Sequence, residues 1–69
     1  MNKESRIYIA GHRGLVGSAF VRILSRNGYS NLIVRTRAEL NLLDAKAVEK
    51  FFLKENPEYV FLAAAKVGG

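Results

Sequence analysis

The chain has 69 residues, 49% hydrophobic and 25% charged, a composition typical of one globular domain or part of one. The absence of cysteine excludes disulfides and thiolate metal sites, and no apolar run reaches the roughly 18 residues that a membrane span needs. The net charge of +5 favours an anionic partner, but no basic run is interleaved with aromatic residues, which disfavours nucleic acid.

The first two predicted elements are a strand and a helix. The apolar run inside Arg6–Gly11 is short and bounded by glycine, which predicts a buried parallel strand. Asn27 and Gly28 predict the end of the helix, because glycine tolerates the left-handed conformation. Apolar residues then share one face of this helix: Leu15, Val16, Ala19, Phe20, Ile23 and Leu24.

A second strand, a second helix and a third strand follow. Leu32–Val34 is the second short strand, and Asp44 is a predicted N-cap because its carboxylate can accept from free backbone N–H groups. Asn56-Pro57 ends the helix, and Tyr59–Leu62 is the third strand. The predicted buried stripe of the second helix is Val48, Phe51 and Phe52, with Leu53 as a further candidate.

The alternation βαβαβ predicts an α/β fold, half of a doubly wound Rossmann fold. We expect three parallel strands in the order 3-2-1, with both helices on one face of the sheet. This order leaves Ile7, Tyr8 and Ile9 on an open edge, where self-association or poor folding of the isolated chain is expected.

The loop YIAGHRGLVG places Gly11, Gly14 and Gly17 three residues apart, between a strand and a helix. In a dinucleotide site the first glycine permits a sharp turn, the second lets backbone approach a pyrophosphate, and the third allows close helix packing. The helix N-terminus then presents donors to the anion. The alternative is a plain turn with coincidental glycines.

The end of the second strand indicates which dinucleotide binds. Sites for NAD usually carry Asp or Glu there, whereas Arg accommodates the 2′-phosphate of NADP. Here Arg35 comes 18 residues after Gly17, Arg37 follows, and no carboxylate intervenes before Glu39. Arg37 and the loop residue Arg13 are the preferred phosphate ligands, because Arg35 can still belong to the strand. Alternatively, these arginines only solubilise a loop.

Two further groups of residues have two interpretations each, and His12 has one. Asn41 and Leu42 are candidates for contacts with adenine, or Leu42 and Leu43 belong to the core, as we favour for Leu43. His12 is interpreted as a loop residue without partners for a metal. Small side chains at the end of the third strand either leave room for the cofactor or permit close packing: Ala63, Ala64 and Ala65.

The stretches IAGHRGLVGSA, VRTRAELNLLD and VFLAAAKVGG together resemble the N-terminal segment of the GDP-L-fucose synthase family. That family belongs to the extended short-chain dehydrogenases/reductases, the NAD-dependent epimerase/dehydratases. The resemblance implies a phosphate loop at residues 11–17, including Leu15 and Val16, and phosphate and adenine contacts at residues 37–42. It implies epimerisation and NADPH-dependent reduction of GDP-4-keto-6-deoxy-D-mannose to GDP-L-fucose.

The resemblance implies a catalytic Ser and a Tyr-x-x-x-Lys pair that lie further along in the family. Here Tyr8, Tyr29 and Tyr59 have no lysine four residues later. Residues 1–69 are therefore interpreted as an N-terminal NADP-binding half-domain without its substrate domain. This segment is expected to bind cofactor and to be inactive alone. We expect a GDP-sugar partner only in a longer form. The N-terminus lacks the apolar core of a signal peptide, so a cytoplasmic protein that binds no membrane is expected. The alternatives are another nucleotide-sugar epimerase or reductase, or a non-catalytic interaction module docking through strand one.

Overall fold

The computed structural model describes residues 1–63. Their elements are β1 (Ile7–Ala10), α1 (Leu15–Arg26), β2 (Leu32–Ile33), α2 (Ala45–Glu55) and β3 (Tyr59–Leu62). The strands are all parallel, so the predicted α/β class and βαβαβ alternation are confirmed. Within this range no helix has the length and apolarity needed to cross a membrane.

The helices begin and end at the residues from which their boundaries were predicted. Gly28 follows the end of α1 with a φ of 87°, in the left-handed region where glycine is unstrained. The Asp44 carboxylate accepts a hydrogen bond from the Ala47 N–H at 3.1 Å and caps α2. Asn56 ends α2 in the left-handed conformation, with a φ of 46°, directly before Pro57.

The order of the strands is β2-β1-β3, so the predicted order 3-2-1 is wrong. All four residues of β1 pair with β3, whereas the two residues of β2 pair only with Ile7 and Tyr8. Pairing on β1 gives β3 a longer ladder than the two-residue β2 could offer, and so satisfies more backbone groups. β1 is therefore central and buried, and the open edge expected along it does not exist.

The two helices lie on opposite faces of the sheet, which corrects the expectation of one shared face. The Tyr8 ring packs against Phe51 of α2 with centroids 4.6 Å apart. Phe61, the partner of Ile9 in the sheet, stacks on Phe20 of α1 at 5.2 Å. Successive strand residues point to opposite faces. The first crossover runs from β1 to β2 and the second runs back from β2 across β1 to β3, so right-handed connections place α1 and α2 on opposite faces.

The core lies mainly on the α2 face. Tyr8, Ala10, Ile33, Leu40 and Phe51 form a buried cluster against which Val48 and Phe52 pack, as predicted for α2. The predicted stripe of α1 is only partly covered in residues 1–63. Leu15, Val16 and Ile23 of that stripe are exposed. Leu53, expected in the buried stripe of α2, is also exposed, so its prediction is wrong.

Candidate functional site

The glycine loop is a tight turn between β1 and α1. Gly11 has a φ of 85°, and its carbonyl accepts from the Gly14 N–H at 3.0 Å. A Cβ on Gly17 would lie 1.9 Å from the Gly11 oxygen, far inside van der Waals contact. The first and third glycines therefore have the turn and packing roles that their positions predict.

Gly14 has neither of these reasons to be glycine. Its φ is −80°, and a Cβ there would lie 3.5 Å from the Gly11 oxygen, an ordinary contact. It is the N-cap of α1, where no side chain caps the helix and the first turn has no acidic residue. The open space beside Gly14 and the uncapped N–H groups suit close approach by an anion.

A cleft of about 760 Å³ lies between this loop and the segment after β2. It brings together eight of the predicted site residues: Gly11, His12, Arg13, Gly14, Arg35, Arg37, Asn41 and Leu42. The predicted residues Leu15, Val16, Gly17 and Ala63 do not line it. Ala64 and Ala65 lie outside the described residues.

The three arginines of the cleft differ in the contacts that their side chains make with the rest of the protein. Arg35 lies 3.5 Å from the Glu55 carboxylate, donates to the Val34 carbonyl at 2.7 Å and covers the Phe51 ring. Arg13 and Arg37 are exposed and form no ion pair with any residue in the range 1–63. Their guanidinium groups are available to an anion from opposite sides of the cleft.

Four residues that line the cleft were missed as site residues: Tyr8, Thr36, Leu40 and Leu43. Leu43 was expected in the core, but it is 85% exposed because the buried position of this segment belongs to Leu40. Burial raises the pKa of the Tyr8 hydroxyl, and the nearby Arg35 charge opposes this effect. Only strand alternation could have indicated Tyr8, by placing its side chain on the face opposite Ile9.

The lining of the cleft is rich in groups that bind anions and apolar rings. Among residues 1–63 no carboxylate lines it, and the same residues contain no cluster of three potential metal ligands. Its cations, backbone donors and leucines offer partners to phosphates and to an apolar ring. A glycine loop after a central parallel strand, a bare helix N-terminus and arginines beyond the neighbouring strand define a Rossmann-type dinucleotide-binding fold.

Comparison with known proteins narrows this class. Residues 7–69 match the NAD dependent epimerase/dehydratase family, and the chain belongs to that family. It is 58% identical to GDP-L-fucose synthase of Escherichia coli and 57% identical to GDP-L-fucose synthase 1 of Arabidopsis thaliana. These matches cover 100% and 99% of this chain, and 21% of each relative.

A solved structure agrees with the fold. The GDP-mannoheptose C4 reductase from Campylobacter jejuni with NADP bound is 51% identical and superposes with a TM-score of 0.95. The comparison covers 100% of this chain and 22% of the reductase. The chain thus spans about a fifth of the length of the relatives it matches.

Proposed function

We propose that this chain supplies the NADP-binding N-terminal part of an epimerase/reductase. The observation that carries the proposal is the cleft, which brings the glycine loop and two free arginines together without a competing carboxylate. The first turn of α1 and the space beside Gly14 would hold the pyrophosphate. Arg13 and Arg37 would bind the 2′-phosphate, for which an arginine fork is well shaped.

The remaining predicted residues would place the adenosine. Asn41 can donate to or accept from the adenine edge, and half-exposed Leu42 offers apolar surface to the ring. Arg35 would support the phosphate site from its place beside Glu55 and Phe51. His12, Leu15, Val16 and the alanines at positions 63–65 are proposed to contact the cofactor through backbone or small side chains.

For the whole protein we propose the GDP-L-fucose synthase reaction, in which NADPH supplies the hydride that reduces the keto group of the GDP-sugar. The 56–59% identity to several curated synthases supports this assignment. The described residues supply binding, and the acid, base and substrate contacts would come from other parts of the enzyme. A cytoplasmic location is part of the same proposal.

A second candidate is reduction of a GDP-heptose. It is favoured by the 51% identity to the heptose reductase, which is close to the identity with the synthases. Both enzymes would share this cofactor-binding segment, so residues outside it would determine the specificity for the sugar. An assay of the longest polypeptide that contains this segment, with each keto-sugar and NADPH, separates the two candidates.

Arg37→Ala tests cofactor recognition. We expect NADP affinity to fall about tenfold and NAD affinity to change less than about twofold, because one charge-assisted contact to the 2′-phosphate is lost. Isothermal titration calorimetry measures both affinities. Arg22→Ala, which removes an exposed α1 arginine away from the cleft, is the matched control. An equal loss for NADP and NAD would contradict the proposed role.

A further inference from the structure

The turn that carries Arg37 is closed by a reciprocal pair of hydrogen bonds. The Thr36 N–H donates to the Glu39 carboxylate at 2.7 Å, and the Glu39 N–H is 3.2 Å from the Thr36 hydroxyl oxygen that accepts from it. The same turn is held by the Thr36 carbonyl, which accepts from the N–H of Leu40 at 2.8 Å. This is the capping-box arrangement, here applied to a single turn.

The turn is also anchored to the core and to the cleft. Leu40, its last residue, is 6% exposed and belongs to the buried cluster beside Tyr8. Thr36, Arg37 and Leu40 all line the cleft, whereas Glu39 does not. The backbone therefore presents the Arg37 side chain to the cleft while the adjacent carboxylate is held outside it.

The Glu39 carboxylate is charged at neutral pH. Hydrogen bonds from the Thr36 backbone and side chain hold the pKa of Glu39 below its ordinary value, and the charges of Arg35 and His12 add to this effect. A carboxylate that entered the cleft would repel a 2′-phosphate, and it could accept from ribose hydroxyls as acidic residues do in NAD sites. Its position thus bears on which dinucleotide is preferred.

We propose that Glu39 is a positioning residue for 2′-phosphate recognition, acting through Thr36. Its reciprocal hydrogen bonds hold the turn that presents Arg37 and keep its own carboxylate out of the cleft. The inference rests on the proposed NADP binding and adds to it a residue that does not touch the cofactor.

The test compares two substitutions that separate geometry from charge. Glu39→Gln keeps a carbonyl oxygen that can accept from the Thr36 N–H, whereas Glu39→Ala removes both the acceptor and the charge. Calorimetry on the full chain measures adenosine 2′,5′-bisphosphate and adenosine 5′-monophosphate, which differ by the 2′-phosphate. Glu49→Ala, an exposed carboxylate of α2 outside the cleft, is the charge control.

We expect Glu39→Gln to bind the bisphosphate as tightly as the unsubstituted chain or up to about threefold more tightly, and Glu39→Ala to bind it about fivefold more weakly. Binding of the 5′-monophosphate should change less than about twofold in either variant. If Glu39→Ala instead matches or exceeds Glu39→Gln, the carboxylate only repels the phosphate and the positioning role is overturned.

A measurement without ligand distinguishes this inference from the proposed function. Backbone ¹⁵N relaxation should show residues 36–39 rigid in the unsubstituted chain and in Glu39→Gln, but mobile in Glu39→Ala. A rigid turn in Glu39→Ala would refute the positioning role. If the turn loosens as expected but the unsubstituted chain binds both adenosine phosphates equally, the NADP assignment fails instead.

Discussion

Replacing Gly17 by alanine should disrupt the glycine loop more than any other single methyl group added to it. The new Cβ would lie 1.9 Å from the Gly11 oxygen and 2.5 Å from the Gly11 carbonyl carbon. Normal contact begins near 3.4 Å, so α1 and the loop must separate by about 1.5 Å. Both obstructing atoms belong to the backbone and cannot rotate away, which places the cost at the upper end for overpacking, about 3 kcal/mol.

This cost is large for a chain of 69 residues, whose total stability is expected to be roughly 3–10 kcal/mol. Thermal unfolding followed by circular dichroism should show the midpoint lowered by about 12 °C or more. Gly14→Ala is the matched control, because its Cβ meets the Gly11 oxygen at 3.5 Å and its φ is −80°. It should cost less than about 1 kcal/mol.

Gly17→Ala should lose more stability, whereas Gly14→Ala should lose more NADP affinity when binding is measured on folded protein. The methyl group of Gly14→Ala occupies the space proposed for the pyrophosphate, so NADP affinity should fall at least about tenfold while the fold persists. An unchanged melting temperature for Gly17→Ala, or a larger loss of stability for Gly14→Ala, would refute the assignment of packing to one glycine and ligand approach to the other.

Two further predictions concern stability. Asp44→Ala should lower the free energy of unfolding in urea by about 1 kcal/mol, because the α2 cap is lost, and Asp44→Asn should restore most of it. The raised pKa of Tyr8 means that the unfolded chain loses this proton first as the pH rises. The stability that the protonated Tyr8 hydroxyl contributes is therefore full below pH 10 and is lost above it. Between about pH 9 and 11, the free energy of unfolding measured in urea should fall less steeply with pH for Tyr8→Phe than for the unsubstituted chain. Identical slopes would contradict this reasoning.

The positions of the elements could be predicted from local sequence. Asp44 caps α2, Gly28 follows α1 and Pro57 follows α2 because each of these residues acts on the backbone next to it. The loop glycines were also predictable, since the strand–turn–helix context allows few solutions for their spacing. The pattern Thr36-x-x-Glu39 is an equally local signal of the turn that holds Arg37, and it was overlooked.

The partners of each element were not predictable in the same way. Arg35 and Arg37 are nearly adjacent in sequence, yet of these two only Arg35 forms an ion pair with Glu55 of α2. Leu40 and Leu43 are equally apolar, yet one is buried and the other is 85% exposed. These outcomes depend on where α2 packs, and α2 could not be placed without the strand order.

By itself the sequence determined the alternation of strands and helices, their ends, the glycine turn and the excess of positive charge beside it, because propensity, capping and turn geometry act over a few residues. Only the tertiary structure decided that β1 is central and that the helices take opposite faces. Those outcomes depend on which strand offers β3 the longer ladder of hydrogen bonds, and that comparison involves residues some fifty positions apart in the chain.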